Sequence, residues 1–184
     1  YGTKIKITDG KFDAMKGVVV GEKTSVTMTG GSIYASNGEG ISLYTNSILN
    51  MSGGTILVEG EDKNTPNGVW VSNGASASIS GGTISTTCFE HEAIDCDPGG
   101  SVTITGGKFY NRAGGRAAII GDTQGPVTKF SVNGGKFYTN NDSGKCPYSS
   151  STDWRFYSTI LVWSGSSKAY SWNSSTSYVK NYIG

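Results

Sequence analysis

One phrase returns along this chain at near-regular intervals: two small residues, usually both glycine, then one residue, then a large apolar one. ITDGKF ends at Phe12, MTGGSI at Ile33, MSGGTI at Ile56, ISGGTI at Ile84, ITGGKF at Phe109 and VNGGKF at Phe137. Successive copies lie 21, 23, 28, 25 and 28 residues apart. Self-similarity at this period, with no helical periodicity inside it, is the mark of a solenoid. Each unit is too small to bury its own apolar face, so it must stack on its neighbours.

A second segment recurs within each unit. GVVVG begins at Gly17, GISLY at Gly40, GVWVS at Gly68 and AIDCD at Ala93, each 13 residues before the next glycine pair. AAIIG at Ala117 continues the series ahead of a few extra residues, and TILVW at Thr159 reads as a sixth copy. Each unit therefore divides into three short strands: one after the glycine pair, the GVVVG-type strand, and one before the next pair.

Strict alternation assigns the faces. After the glycine pair the inward column is Ile33, Ile56, Ile84, Phe109 and Phe137. On the GVVVG-type strand the inward columns are Val18, Ile41, Val69, Ile94, Ala118 and Val20, Leu43, Val71, Cys96, Ile120. Before the pair they are Val26, Leu49, Ala77, Val102, Phe130 and Met28, Met51, Ile79, Ile104, Val132. The glycine pair itself reads as a corner, where the chain bends and coils approach closely. A phosphate-cradling loop would need a following helix and lysine, which the pattern lacks.

Composition supports this reading. Glycine is 28 of 184 residues and charged residues are 16%, against a usual share of about 7% and about 25%. Many short strands with turns suit such a chain; long helices do not. Net charge is +1 with no basic run, which argues against a nucleic-acid partner. No apolar stretch nears the roughly 20 residues of a membrane helix, so membrane insertion is not expected.

Three strands per coil and 21 to 28 residues per turn resemble the right-handed parallel β-helix shared by pectate lyases and many adhesins. GISLY…ILNMSGGTI and SVTITGGKF are similar more specifically to the repeat of bacterial secreted carbohydrate-binding β-helix proteins. The resemblance covers roughly residues 1–140. It implies an all-β solenoid of five to six coils, an extracellular or cell-surface location, polysaccharide or surface glycan as partner, and sometimes calcium as the sole cofactor. It supplies no ligand residues. Residues 141–184 lose the glycine pair and gain Trp154, Trp163, Trp172 and several tyrosines, and read as the last coil and an aromatic cap of the same domain. Tyr1–Thr8 reads as the third strand of an incomplete coil, so further coils and domains of a larger protein are expected around this segment.

The outward columns carry the functional reading. On the GVVVG-type strand they run Val19, Ser42, Trp70, Asp95, Ile119 and Gly21, Tyr44, Ser72, Asp97, Gly121. Trp70 and Asp95 then stand one coil apart, with Tyr44 and Asp97 close by. A ring that stacks on a pyranose beside carboxylates that accept its hydroxyls makes a sugar-binding surface. The strand after the glycine pair presents Lys11, Lys108 and Lys136 with Tyr34, Tyr110 and Tyr138, either a stabilising ladder or a contact for an acidic glycan or protein.

Two other chemistries fit the residues less well. Asp95 and Asp97 form a carboxylate pair of the kind that hydrolyses glycosidic bonds, yet Cα atoms two apart on a strand lie about 6.6 Å from one another. A β-elimination lyase usually needs a cationic base, and the chain has only three arginines, Arg112, Arg116 and Arg155, two of them in one loop. Glu61, Asp62, Glu90 and Glu92 gather on one edge as weak calcium candidates. His91, alone between two glutamates, reads as a surface residue. Cys96 falls in a core column, and Cys88 and Cys146 lie in loops with their pairing open. The function expected is noncatalytic carbohydrate binding or adhesion; a polysaccharide-degrading enzyme and a ligand-free stalk are the alternatives.

Overall fold

The computed structural model describes residues 2–60, 67–88, 91–112, 119–121, 129–139 and 160–162. The chain winds through a repeated three-strand cycle. β1 (Lys4–Ile7), β2 (Lys11–Ala14) and β3 (Val18–Val20) form the first cycle; β4 (Ser25–Met28), β5 (Ser32–Ala35) and β6 (Ile41–Leu43) the second; β7 (Ile48–Met51), β8 (Thr55–Val58) and β9 (Val69–Val71) the third; β10 (Ser76–Ile79), β11 (Thr83–Thr86) and β12 (Ile94–Cys96) the fourth. β13 (Ser101–Ile104), β14 (Lys108–Asn111), β15 (Ile119–Gly121), β16 (Lys129–Val132), β17 (Lys136–Thr139) and β18 (Ile160–Val162) continue it. Each strand pairs in parallel with its counterparts one cycle away, which gives three six-stranded sheets. Sheet A is β1-β4-β7-β10-β13-β16, sheet B holds β2 through β17 and sheet C holds β3 through β18. The result is an all-β parallel solenoid, with no helix among the described residues.

The inward columns close into one core. Val26, Leu49 and Val102 of sheet A, Ile33, Ile56, Ile84 and Phe109 of sheet B, and Ile41, Leu43, Val69, Val71 and Ile94 of sheet C are at most 1% exposed. Phe109 and Phe137 stack with centroids 4.9 Å apart. Because the same apolar position recurs one coil on, each buried side chain meets its own kind above and below, and the register is fixed by burial.

The paired glycines at the A-to-B corner serve two separate needs. The second of each pair has positive φ: Gly10 +92°, Gly31 +74°, Gly54 +87°, Gly82 +90°, Gly107 +102°, Gly135 +100°. The first has no such φ but is pressed onto the coil beneath. A Cβ on Gly30, Gly53, Gly81, Gly106 or Gly134 would lie 2.2–2.4 Å from a backbone carbonyl oxygen of that coil. Asp9 holds this place in the first cycle, where no described coil lies beneath; it is exposed, and its Oδ1 accepts from the Gly10 N–H at 2.7 Å. The C-to-A corner has its own left-handed residue, Lys23, Asn46, Gly74 or Gly99 in turn. It is closed by turn bonds such as Ser47 N–H to Tyr44 O at 2.9 Å and Ala75 N–H to Ser72 O at 3.0 Å.

Corner lengths differ in kind. The A-to-B corner always takes three residues, from 8–10 in the first cycle to 133–135 in the last. The B-to-C corner takes three at 15–17, five at 36–40, ten at 59–68 and seven at 87–93.

Three expectations need correction. β15 is Ile119–Gly121, and Ile94 pairs with Ile119, Asp95 with Ile120 and Cys96 with Gly121. The fifth copy thus sits one residue later than alternation suggested, which exchanges the Ile119 and Ile120 columns. The run Ala117–Ile120 is apolar throughout, so period two cannot select its face. His91 is buried at 8% exposure: the chain ahead of β12 has already joined the stack, and the His91 carbonyl accepts from Asn111 Nδ2 at 3.0 Å. Glu92, expected on a solvated edge, is buried at 1%. Its carbonyl accepts from Gly68 N–H at 2.9 Å, continuing the sheet C ladder. β18 confirms the sixth copy at Thr159, with Ile160 paired to Ile119. Cys96 is buried as expected, and Cys88 is buried too. Cys146 and the aromatic segment 141–159 and 163–184 lie outside the described residues.

Candidate functional site on the outer face of sheet C

Strands of sheet C are three residues long, so only the middle residue of each points outward. Val19, Ser42, Trp70 and Asp95 occupy this place in successive cycles, paired Val19 to Ser42, Ser42 to Trp70 and Trp70 to Asp95. The first residue of the following turn forms a second column. Tyr44 N–H reaches Val20 O at 3.0 Å, Ser72 N–H reaches Leu43 O at 3.0 Å and Asp97 N–H reaches Val71 O at 2.9 Å, so Tyr44, Ser72 and Asp97 stand in line. The four residues singled out from the sequence, Tyr44, Trp70, Asp95 and Asp97, therefore share one patch across three coils.

The rings of Tyr44 and Trp70 meet edge to face, with centroids 5.3 Å apart and planes at 86°. This is a favoured geometry for an aromatic pair. Tyr44 remains 47% exposed and Trp70 half-buried, so the pair is fixed in place while presenting ring surface outward. Asp95 is next to Trp70 in the ladder, and its Oδ2 accepts from Asn67 Nδ2 at 3.2 Å. Asn67 is itself buried at 4% and takes the Glu92 N–H on its Oδ1 at 2.9 Å. It locks the corner leading into β9 and orients the Asp95 carboxylate from beneath.

Asn67 is the residue that sequence reading overlooked. The available signal was parity: Asn67 and Glu92 stand two before the inward Val69 and Ile94, on the buried side of the alternation. On the second coil Ser42, 5% exposed, donates to Glu39 Oε2 at 3.3 Å. Ser72, between Tyr44 and Asp97 in the turn column, is 8% exposed and its hydroxyl has no hydrogen-bond partner.

Chemically the patch offers a fixed aromatic surface and two carboxylates that accept strong hydrogen bonds; the Ser72 oxygen is buried beneath it. Among the described residues, no group of three or more His, Cys, Asp and Glu is arranged to hold a metal ion. The calcium candidates Glu61, Asp62 and Glu90 lie outside the described residues. A shallow trough of about 220 Å³ lies elsewhere, on the outer face of sheet A, lined by Thr27, Asn50, Ser78 and Thr103 among others. No family model, curated protein or solved structure matches this chain.

Proposed function

We propose that this solenoid is a noncatalytic carbohydrate-binding module of a secreted or cell-surface bacterial protein, engaging a neutral or amino-bearing polysaccharide on the outer face of sheet C. The observation that carries this reading is the Tyr44–Trp70 pair held beside Asp95, on a scaffold that does not require rings there. An aromatic face supplies large contact area at little entropic cost, and the carboxylates orient sugar hydroxyls. Three carboxylates near the rings, Glu39, Asp95 and Asp97, disfavour an acidic sugar by like-charge repulsion.

The test is titration of the purified chain against a panel of neutral and amino polysaccharides, followed by Trp70→Ala. Binding that weakens at least tenfold, about 1.4 kcal/mol, supports the reading; silence across the panel removes it. Release of reducing ends from a bound polymer, abolished in Asp95→Asn, would replace it with a hydrolase.

A further inference from the structure

We propose a second and separate ligand surface, on the outer face of sheet B at β14 and β17, whose occupant is an acidic polysaccharide carrying uronate or sulfate groups. Lys108 and Lys136 are direct partners in the parallel ladder, one strand spacing of about 4.8 Å apart, and both are exposed. Like charges directly opposite destabilise a sheet. No ion pair or hydrogen bond engages either ammonium among the described residues. Lys11, in the same column at the other end, is matched by Asp13 at 3.4 Å.

The neighbouring column adds to the positive patch instead of relieving it. Tyr110 and Tyr138 stack with centroids 4.5 Å apart and planes within 7°. The Arg112 guanidinium lies 4.8 Å from the Tyr110 centroid, steadied by its Nε donating to Ser85 Oγ at 2.7 Å. The described carboxylates of this face lie on the other side of β11 and are engaged: Asp13 of β2 with Lys11, and Glu59, next after β8, accepting from the Tyr34 hydroxyl at 3.0 Å. Among the described residues of sheet B, the acid-matched groups thus lie toward β2 and β8, and the paired lysines lie at β14 and β17. Local conflicts of this kind concentrate at functional or strained sites, and the described ladder here shows no strain other than the paired charges.

The charges select an anionic ligand, and the rings select among anions. Base stacking on a nucleic acid needs open ring faces, yet Tyr110 has Arg112 on its ring and Tyr138 stacked against it. The stacked phenols and two ammoniums along a flat sheet instead match a linear sugar polymer with regularly placed negative groups.

The experiment titrates the whole chain with a polyuronate, a sulfated glycan, a neutral glycan and single-stranded DNA, in about 50 mM salt, where phosphate-type ion pairing is strong. Variants are Lys108→Gln/Lys136→Gln, with Lys11→Gln and Trp70→Ala as controls. The expected result is binding of an acidic polymer that falls at least tenfold in the double variant and weakens with salt. The two controls retain it, and the ligand-free double variant melts no lower than the parent. The polyuronate and sulfated arms tell which acid group is taken. Equal binding by the parent and the double variant, tighter binding of DNA than of either acidic glycan, or no binding of any acidic polymer would overturn the proposal.

Discussion

The outer faces of sheets A and C are built on the same backbone ladder and bear quite different side chains. Sheet A presents Lys6, Thr27, Asn50, Ser78, Thr103 and Ser131 in one column, where after Lys6 every group is short, polar and uncharged. Sheet C presents Val19, Ser42, Trp70 and Asp95, a new chemical type at every step. The core behind both faces is equally regular. Variation outside a uniform interior is therefore not imposed by the fold.

The largest expected effect tests whether the interior alone holds sheet A. Leu49→Ala, at a fully buried position, should cost about 3 kcal/mol, while its exposed neighbour Asn50→Ala should stay within about 0.5 kcal/mol. Denaturant midpoints of the two variants decide this. Equal losses would mean that the outer face of sheet A is structural.

Next come the corners that join A to B. Gly106→Ala drives a Cβ to 2.3 Å from the Ser80 carbonyl oxygen and should cost about 3 kcal/mol by overpacking. Gly10→Ala meets nothing within 4 Å and should lose only the positive-φ penalty, about 1 kcal/mol. Thermal melts that rank the pair the other way would break the division of labour assigned to the two glycines.

Smaller in stability but decisive for the contrast is Trp70→Ala. It should lower stability by about 1 kcal/mol through loss of the Tyr44 ring contact while weakening binding of the neutral or amino polysaccharide at least tenfold; Ser78→Ala on sheet A should leave both unchanged. A Ser78→Ala variant that loses binding would shift the site to the other face.

The smallest effect concerns Tyr34. Its phenol is held above the usual value of 10.0, first by the hydrogen bond to Glu59, then by desolvation and by the charges of Glu59 and Asp13. A raised folded value contributes stability below the unfolded pKa and loses it as pH climbs through the folded one. A slight drop in melting temperature is therefore expected only on the alkaline side of 10, absent in Tyr34→Phe. A drop of the same size in that variant would assign it to another group.

Most of the architecture was readable from the residues because burial recurs with the repeat. The columns headed by Ile33, Val26 and Met28 needed only alternation and spacing. Reading failed where those signals vanish. Ala117–Ile120 is apolar on both parities, so its register slipped by one. The charge of Glu92 and the glutamates flanking His91 point to solvent, although Glu92 shares the inward phase of Ile94 and both residues are buried. In the candidate site the rings and the carboxylates were visible because alternation places them in the outward columns of the GVVVG-type strand. Parity marks Asn67 as buried, but its hold on Asp95 depends on a bond across 28 residues, which parity does not reveal.

The unequal corners have a consequence for how such a molecule changes over time. Three of three residues are prescribed at every A-to-B bend, whereas the B-to-C bend accepts anything from three to ten within the first four cycles. Doubling a loop adds only about 0.6 kcal/mol of closure entropy. Peptide can thus accumulate along one edge of the cylinder, beside the rings of sheet C, without disturbing a single rung, and new specificities can be grafted there while the winding stays as it is.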